Sequence, residues 1–360
     1  MKTYLRHAIF VGIFVTGACS KQTLDANGQV NSKNVAGPQK SAESSGDEAS
    51  GQTADSAPAH TETASAKIDT LPAVVPVAIA GASLSCSKAL PTKITCQTRV
   101  YGALADLRPI ASYIVSKRGA DWSPIPSTVI SPGVYQFALP AGVPAVFAVA
   151  LELSSTQYIS SILGDGVTAF NDVVKDGEFD YKAHIVGETF EFATSATIAS
   201  LGFGWSVGRL ANSKCTTKPE DVVIEFQTAQ SSNQSYAGLT GTFIELDSFC
   251  TATDVGDNIV VSQKLSTSKN HLYNLSYRAR RRVDGINAST GVGAIQGIIA
   301  RIDGEAIDTR LSLNQTWTKY VFDLMPQNAV VLSFEDTGPS DNFGSALDAV
   351  EAFDLGIPPP

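Results

Sequence analysis

Leu272-Tyr273-Asn274-Leu275-Ser276-Tyr277-Arg278-Ala279 alternates apolar and polar residues with period two. Successive side chains of an extended chain point to opposite faces. Tyr273, Leu275, Tyr277 and Ala279 therefore share one face, and Asn274, Ser276 and Arg278 the other. One buried face and one wet face describe a strand of an antiparallel sheet. The run Trp317–Leu324 repeats the pattern, with Tyr320, Phe322 and Leu324 opposing Lys319, Val321 and Asp323. Around these runs lie Val222–Thr228, Thr242–Asp247, Ile259–Leu265, Ala294–Arg301, Val330–Glu335 and Ala346–Leu355, all of strand length and separated by turn residues. No longer stretch carries a helical period. Residues 175–356 therefore read as a double-sheet jelly-roll β-sandwich.

Upstream, residues 74–158 read as a small β-sandwich of immunoglobulin-like kind. Its runs are Ala82–Cys86, Ile94–Val100, Ser112–Ser116, Val134–Leu139 and Ala145–Leu151, broken by Pro91, Pro109, Pro124, Pro126, Pro132 and Pro140. Proline suits turns and strand edges, since it cannot donate to a ladder. Trp122, beside Asp121 in a proline-rich loop, is expected as a packing plug. The expected class is all-β throughout.

The chain begins with a basic start (Lys2, Arg6), an apolar run from Ala8 to Val15, and then Thr16-Gly17-Ala18-Cys19. This is the architecture of a secretory signal, too short to span a bilayer. The small residues before Cys19 resemble a bacterial lipoprotein lipobox, with Thr16 where leucine is preferred. The resemblance implies a signal peptide at 1–18, cleavage before Cys19, palmitate-type acylation of its thiol, and a membrane anchor. Residues 19–73 then form a disordered linker, poor in large apolar residues and without aromatics to offset chain entropy from Ser20 to Thr70. Its r.m.s. reach is about 40 Å. Ser20 after the modified cysteine resembles lipoproteins sent to the outer membrane.

There are five cysteines. With Cys19 lipidated, the others divide into two local pairs, Cys86 with Cys96 and Cys215 with Cys250, as disulfides of an oxidising compartment. The count alone leaves the connectivity open. No C-x-x-C spacing supports zinc. A net charge of −9, with 35 acidic against 26 basic residues, argues against a nucleic-acid partner.

Taken in order, several stretches of the second segment resemble the galactose-binding-like jelly rolls that include many bacterial carbohydrate-binding modules. They are Gly187-Glu188-Thr189-Phe190-Glu191, Gly204-Trp205, Phe243-Ile244-Glu245-Leu246-Asp247, Val261-Ser262-Gln263, Tyr273 through Arg280, Trp317 through Phe322, and Gly344 through Val350. The resemblance implies adjacent first and last strands with a structural calcium ion where they meet, held by Glu191 and Asp348. Asp176-Gly177-Glu178-Phe179-Asp180 is an alternative match to the opening motif, and supplies Asp180 instead. The resemblance also implies glycan recognition by aromatic faces. Tyr236 is best placed, in the polar stretch Gln230–Gly241. Trp205 and Trp317 occupy positions that often pack in the core, and core is the favoured reading of both. A protein partner of the envelope is the rival to glycan.

Arg278, Arg280, Arg281 and Arg282 suit phosphate, but a solvated face with internal ion pairs is the favoured reading. Gly204-Trp205-Ser206-Val207-Gly208 satisfies G-x-S-x-G, yet an all-β context denies it the strand–turn–helix elbow that the chemistry needs. The sequence thus predicts a non-enzymatic, lipid-anchored envelope protein with a binding surface on its jelly roll.

Overall fold

A computed structural model describes residues 81–90, 92–180, 190–211, 213, 215–228, 241–250, 256–282, 296–339 and 344–360. Cys19, the leader, the linker up to residue 73 and Tyr236 lie outside the described residues, as does the side chain of Glu191.

The first strands are β1 (Ala82–Leu90), β2 (Lys93–Val100), β3 (Ala103–Leu104), β4 (Ala111–Val115), β5 (Ser123–Pro124), β6 (Ser127–Ser131), β7 (Val134–Ala138), β8 (Phe147–Ser154) and β9 (Gln157–Leu163). One sheet runs β1-β2-β7-β6, with β3 on β2, and the other runs β5-β4-β8-β9. Leu84, Ile94, Tyr135 and Phe137 from the first meet Ile114, Phe147, Val149 and Leu151 from the second in one core. Cys86 lies opposite Cys96 in the β1–β2 register, and the two form a disulfide with Cα atoms 4.0 Å apart.

The remaining strands are β10 (Asn171–Asp172), β11 (Phe190–Thr194), β12 (Ser206–Arg209), β13 (Val223–Thr228), β14 (Thr242–Glu245), β15 (Asp247–Phe249), β16 (Gly256–Leu265), β17 (Tyr273–Arg281), β18 (Ile298–Ile302), β19 (Glu305–Arg310), β20 (Thr318–Leu324), β21 (Val330–Asp336) and β22 (Ser345–Asp354). A seven-stranded sheet runs β11-β13-β14-β22-β17-β20, with β10 on β22. It faces a six-stranded sheet in the order β12-β16-β21-β18-β19, with β15 on β16. Among the described residues every pairing is antiparallel, as in the β16–β21 and β17–β22 ladders. The short helix α1 (Ser195–Ser200) starts at an N-cap, where Thr194 accepts from Thr197 N.

The apolar face of β17 is buried as its alternation implies, but the other face is not wet, since Asn274 and Ser276 are buried too. Tyr273, Leu275, Tyr277 and Ala279 are buried between the sheets, beside Phe322, Leu324, Leu332 and Phe334. Each Leu or Phe among them contributes about 1.5–3 kcal/mol of burial. Cys215 and Cys250 form the second disulfide.

The second sheet of the small sandwich is buried on both faces. Phe147, Val149 and Leu151 enter its own core, while Ala148 and Ala150 pack with Phe353, Leu355 and Leu272 of the larger sandwich. This explains the unbroken apolar run of β8, whose residues 147 to 152 are all buried. Trp122 plugs the same seam. Polar contacts reinforce it: Ser160 N donates to Asp323 at 2.6 Å, Tyr158 OH to Pro359 O at 2.7 Å, and Arg118 Nε lies 3.1 Å from Asp354 Oδ2.

Candidate functional site

The two sandwiches enclose a groove of about 660 Å³ beside their seam. β1 and β9 supply one wall, with Ser83, Ser85 and Ser161, and Asp165 follows at the end of β9. In β1 the alternation that buries Ala82 and Leu84 turns Ser83 and Ser85 away from the small core. Lys319 and Tyr320 of β20, Glu351 of β22 and Arg310 of β19 supply the opposite wall. Arg99 and Gly102 also line it.

Arg310 is the most constrained of these side chains. Its Cζ lies 4.5 Å from the Tyr320 ring centroid and 5.6 Å from that of Tyr101, so aromatic faces hold the guanidinium. Nε donates to Asp308 Oδ2 at 3.0 Å, and lies 2.9 Å from Oδ1 in ion-pair contact without hydrogen-bond alignment. Tyr277 OH donates to the same Oδ2 at 2.9 Å. Burial, and then the Asp308 carboxylate that accepts its proton, push the Tyr277 hydroxyl well above its usual range. Burial also raises Tyr320, against the opposing pull of Arg310. Both phenols are thus neutral hydrogen-bonding groups at ordinary pH.

The other charges are tied more loosely. Lys319 Nζ lies 3.1 Å from Glu351 Oε2, which also accepts from Ser276 Oγ at 3.1 Å. Arg99 donates through Nη1 to Gly102 O at 2.7 Å and through Nη2 to Gln97 Oε1 at 2.6 Å, both neutral acceptors. Such a cleft can hold a polar ligand by hydrogen bonds and charge.

The residues singled out from sequence lie elsewhere. Trp205 is 2% exposed, packs on Phe179 and Phe334, and donates Nε1 to Asp176 O at 3.2 Å. It has no face open to a ligand, so the expectation of a sugar contact there is corrected. Trp317 is half-buried against Phe243, with Arg280 Cζ 5.8 Å from its ring centroid. Arg280 itself is 4% exposed, and Arg282 pairs with Glu245 at 2.8 Å. The arginine cluster is thus not a solvated face: Arg280 is buried and Arg282 is ion-paired.

Glu245 stands opposite Glu225 in the β13–β14 register, and the Gln227 amide donates to both. Burial first, and Glu225 second, raise Glu245 well above the usual carboxylate range despite Arg282. With Glu245 1% and Glu225 7% exposed, this couple is closed to a substrate. Ser206 lies in β12, paired to Ser262 of β16, and stands on no strand-to-helix elbow.

The last strand, β22, has β10 beside it, but β11 is not its neighbour. β13 and β14 separate β11, which carries Glu191, from β22, which carries Asp348. At about 4.8 Å per strand this is a gap of about 14 Å. In register, position 191 lies in one row with Phe226, Ile244 and Leu347.

The alternative match sits where β22 is. Gly177 O accepts from Val350 N at 3.0 Å, and a Cβ at 177 would meet Val350 O at 1.9 Å, so only glycine permits this approach. Asp348 is 4% exposed, and its Oδ1 has no hydrogen-bond partner. Burial, together with Glu178 and Asp180, pushes its carboxyl up to about 7 against the pull of Arg278. Among the described residues no three acidic, histidine or cysteine side chains converge enough to hold an ion alone.

Sequence reading passed over Arg310, Asp308 and Tyr101. The available signal was Asp308 and Arg310 two positions apart in Glu305-Ala306-Ile307-Asp308-Thr309-Arg310, which puts acid and base on one strand face.

No protein-family model matches the chain, and no curated protein matches it. Similar solved structures include a family 35 carbohydrate-binding module from Clostridium thermocellum, at 12% identity and TM-score 0.23, over 46% of this chain and 99% of that one. The TmCBM61 module in complex with β-1,4-galactotriose matches at 8% identity and TM-score 0.26, over 51% of this chain and 99% of that one. The enzymatically active domain of bacteriophage CBA120 tailspike protein 4 matches at 13% identity and TM-score 0.30, over 50% of this chain. The match spans only 21% of the tailspike chain.

Proposed function

We propose that this is a lipid-anchored, non-enzymatic protein of the outer membrane that binds glycan. Cys19 carries the lipid, and the linker up to residue 73 holds the sandwiches off the bilayer. The observation that carries the binding role is the groove between the sandwiches, about 660 Å³ and lined by serine hydroxyls, two arginines, a lysine and a tyrosine. Ligand sites favour such junctions, with a few fixed polar groups setting orientation. A saccharide, dense in hydroxyl groups, matches that lining.

Asp348 and Asp180 are the residues that would hold a structural calcium ion, with backbone carbonyls and water completing an oxygen shell. The buried, unpartnered Asp348 Oδ1 fits a cation. Calcium bound there would fasten residues 176–180 to β22. Adding EDTA should then lower the melting temperature, and calcium should restore it.

The test of binding is a glycan array probed with the folded protein beside Ser85→Trp. Ser85 is exposed and lines the groove, so the bulky variant fills the cleft without disturbing the core. Glycan signals that vanish in S85W support the reading; signals unchanged in S85W place binding elsewhere. Loss of membrane association in Cys19→Ser tests the anchor.

The second reading, an adhesive protein that contacts another protein, draws on β6. This edge strand is exposed along its whole length, with Val129 62% and Ile130 57% exposed. Exposed edges are templates for strand addition. Capture of a protein partner without any array signal would favour it.

A further inference from the structure

We infer that the groove takes an anionic saccharide, one bearing carboxylate or sulfate groups, and that Arg310 and Arg99 are its anion-binding residues. This rests on the glycan reading above. Neutral sugars are held largely by stacking on open aromatic faces, and the groove lacks one among its described residues. Its lining aromatics are Tyr320, covered by Arg310, and Phe353, which is 4% exposed. Affinity must then come from charge and hydrogen bonds.

Arg310 is built for that role. The Tyr320 and Tyr101 rings fix its plane, and Asp308 holds Nε. Its terminal amino groups make no hydrogen bond to any described residue, while the side chain, 15% exposed, lines the groove. A fixed guanidinium with both terminal nitrogens unused presents the bidentate fork that carboxylate and sulfate accept. Little side-chain freedom remains to be lost on binding.

Arg99 adds charge that no described acid offsets, since both its acceptors are neutral. Of the lining acids, Glu351 is paired with Lys319, and Asp165 accepts from Val167 N as the cap of a 3-10 turn. Asp308 beneath Arg310 cancels part of its charge but leaves its donors. The lining carries Arg99, Arg310 and Lys319 against Asp165 and Glu351, one positive charge in excess before Asp308 is counted.

The experiment is calorimetric titration of the folded protein with a galacturonic-acid tetramer, a sulfated galactan and a neutral galactose tetramer. The inference expects an acidic saccharide to bind about tenfold or more tightly than the neutral one, and salt to erode the difference as the Debye length falls to about 3 Å at 1 M. Arg310→Gln should abolish the preference for the acidic saccharide over the neutral one. Arg310→Lys should keep part of it, because charge survives without the fork. Should R310Q unfold through its unpaired Asp308, R99Q decides, since its loss strands no carboxylate. Equal affinity for the acidic and neutral tetramers, or acid preference unchanged in both R99Q and R310K, overturns the inference and leaves the glycan reading standing. Binding of poly-glutamate but of no saccharide overturns both.

Discussion

Asp323 places a carboxyl at the seam between the sandwiches, where Ser160 N, Ser160 Oγ and Asn274 Nδ2 all donate to it. Three donors favour the ionised form, yet complete burial outweighs them and raises the group from 3.8 to about 7. The folded state therefore binds the proton more tightly than the unfolded chain between those values. Its contribution to stability is fully present below the unfolded value, declines as pH rises through the interval, and is lost above about 7. Asp172, raised to about 6 chiefly by burial, slopes the same way, so the total profile does not isolate Asp323. The difference does. The melting temperature of wild type minus that of Asp323→Asn should fall steadily from pH 4 to pH 7, and a flat difference would refute a raised carboxyl. Trp205 makes the second prediction at this scale. Fully enclosed by Phe179 and Phe334, its replacement by alanine should cost about 3–5 kcal/mol in denaturant unfolding.

At the scale of elements, the two disulfides differ in what they constrain. Cys86–Cys96 closes a separation of 10 residues between paired strands, and Cys215–Cys250 one of 35. In the chain-entropy account a crosslink acts on the unfolded chain as the logarithm of loop length. Replacing Cys215 and Cys250 by serine should therefore cost about 1 kcal/mol more than replacing Cys86 and Cys96, read from urea midpoints of the two double variants. Both strands and disulfides were legible because each leaves a local mark. β17 declares itself by alternation, although Asn274 and Ser276 on its polar face are buried as well as the four apolar positions. β19 does not. Its inner positions include Asp308, a charge that is 2% exposed only because Arg310 and Tyr277 meet it. No local pattern foretells a partner on another strand. β12 was hidden for a different reason, since Ser206-Val207-Gly208-Arg209 has one large apolar residue and becomes a strand by pairing with β16. Strand order was not legible either. Sequence placed Glu191 and Asp348 correctly on strands, but only the sheet inserts β13 and β14 between them.

At the scale of the whole molecule, the groove exists because the sandwiches dock. None of its residues stands out in sequence as a site, since serines, a tyrosine and paired charges are ordinary on sheet faces. They become a cleft once Ala148, Ala150, Tyr158, Phe170, Leu272, Phe353 and Leu355 close the seam beside them. That seam is apolar at its centre and ringed by Asp323, Asp354 and the Tyr158 hydroxyl, an arrangement that ties both sandwiches into one cooperative unit. Calorimetry should therefore record a single unfolding transition. Leu355 is fully buried in the seam and lines no part of the groove. Leu355→Ala removes contact area and leaves a cavity, at a cost of about 2–5 kcal/mol. If docking holds the groove walls in place, this variant should split or broaden the transition and weaken ligand binding, although every groove side chain remains. Retained binding with a divided transition would show instead that one sandwich alone carries the site.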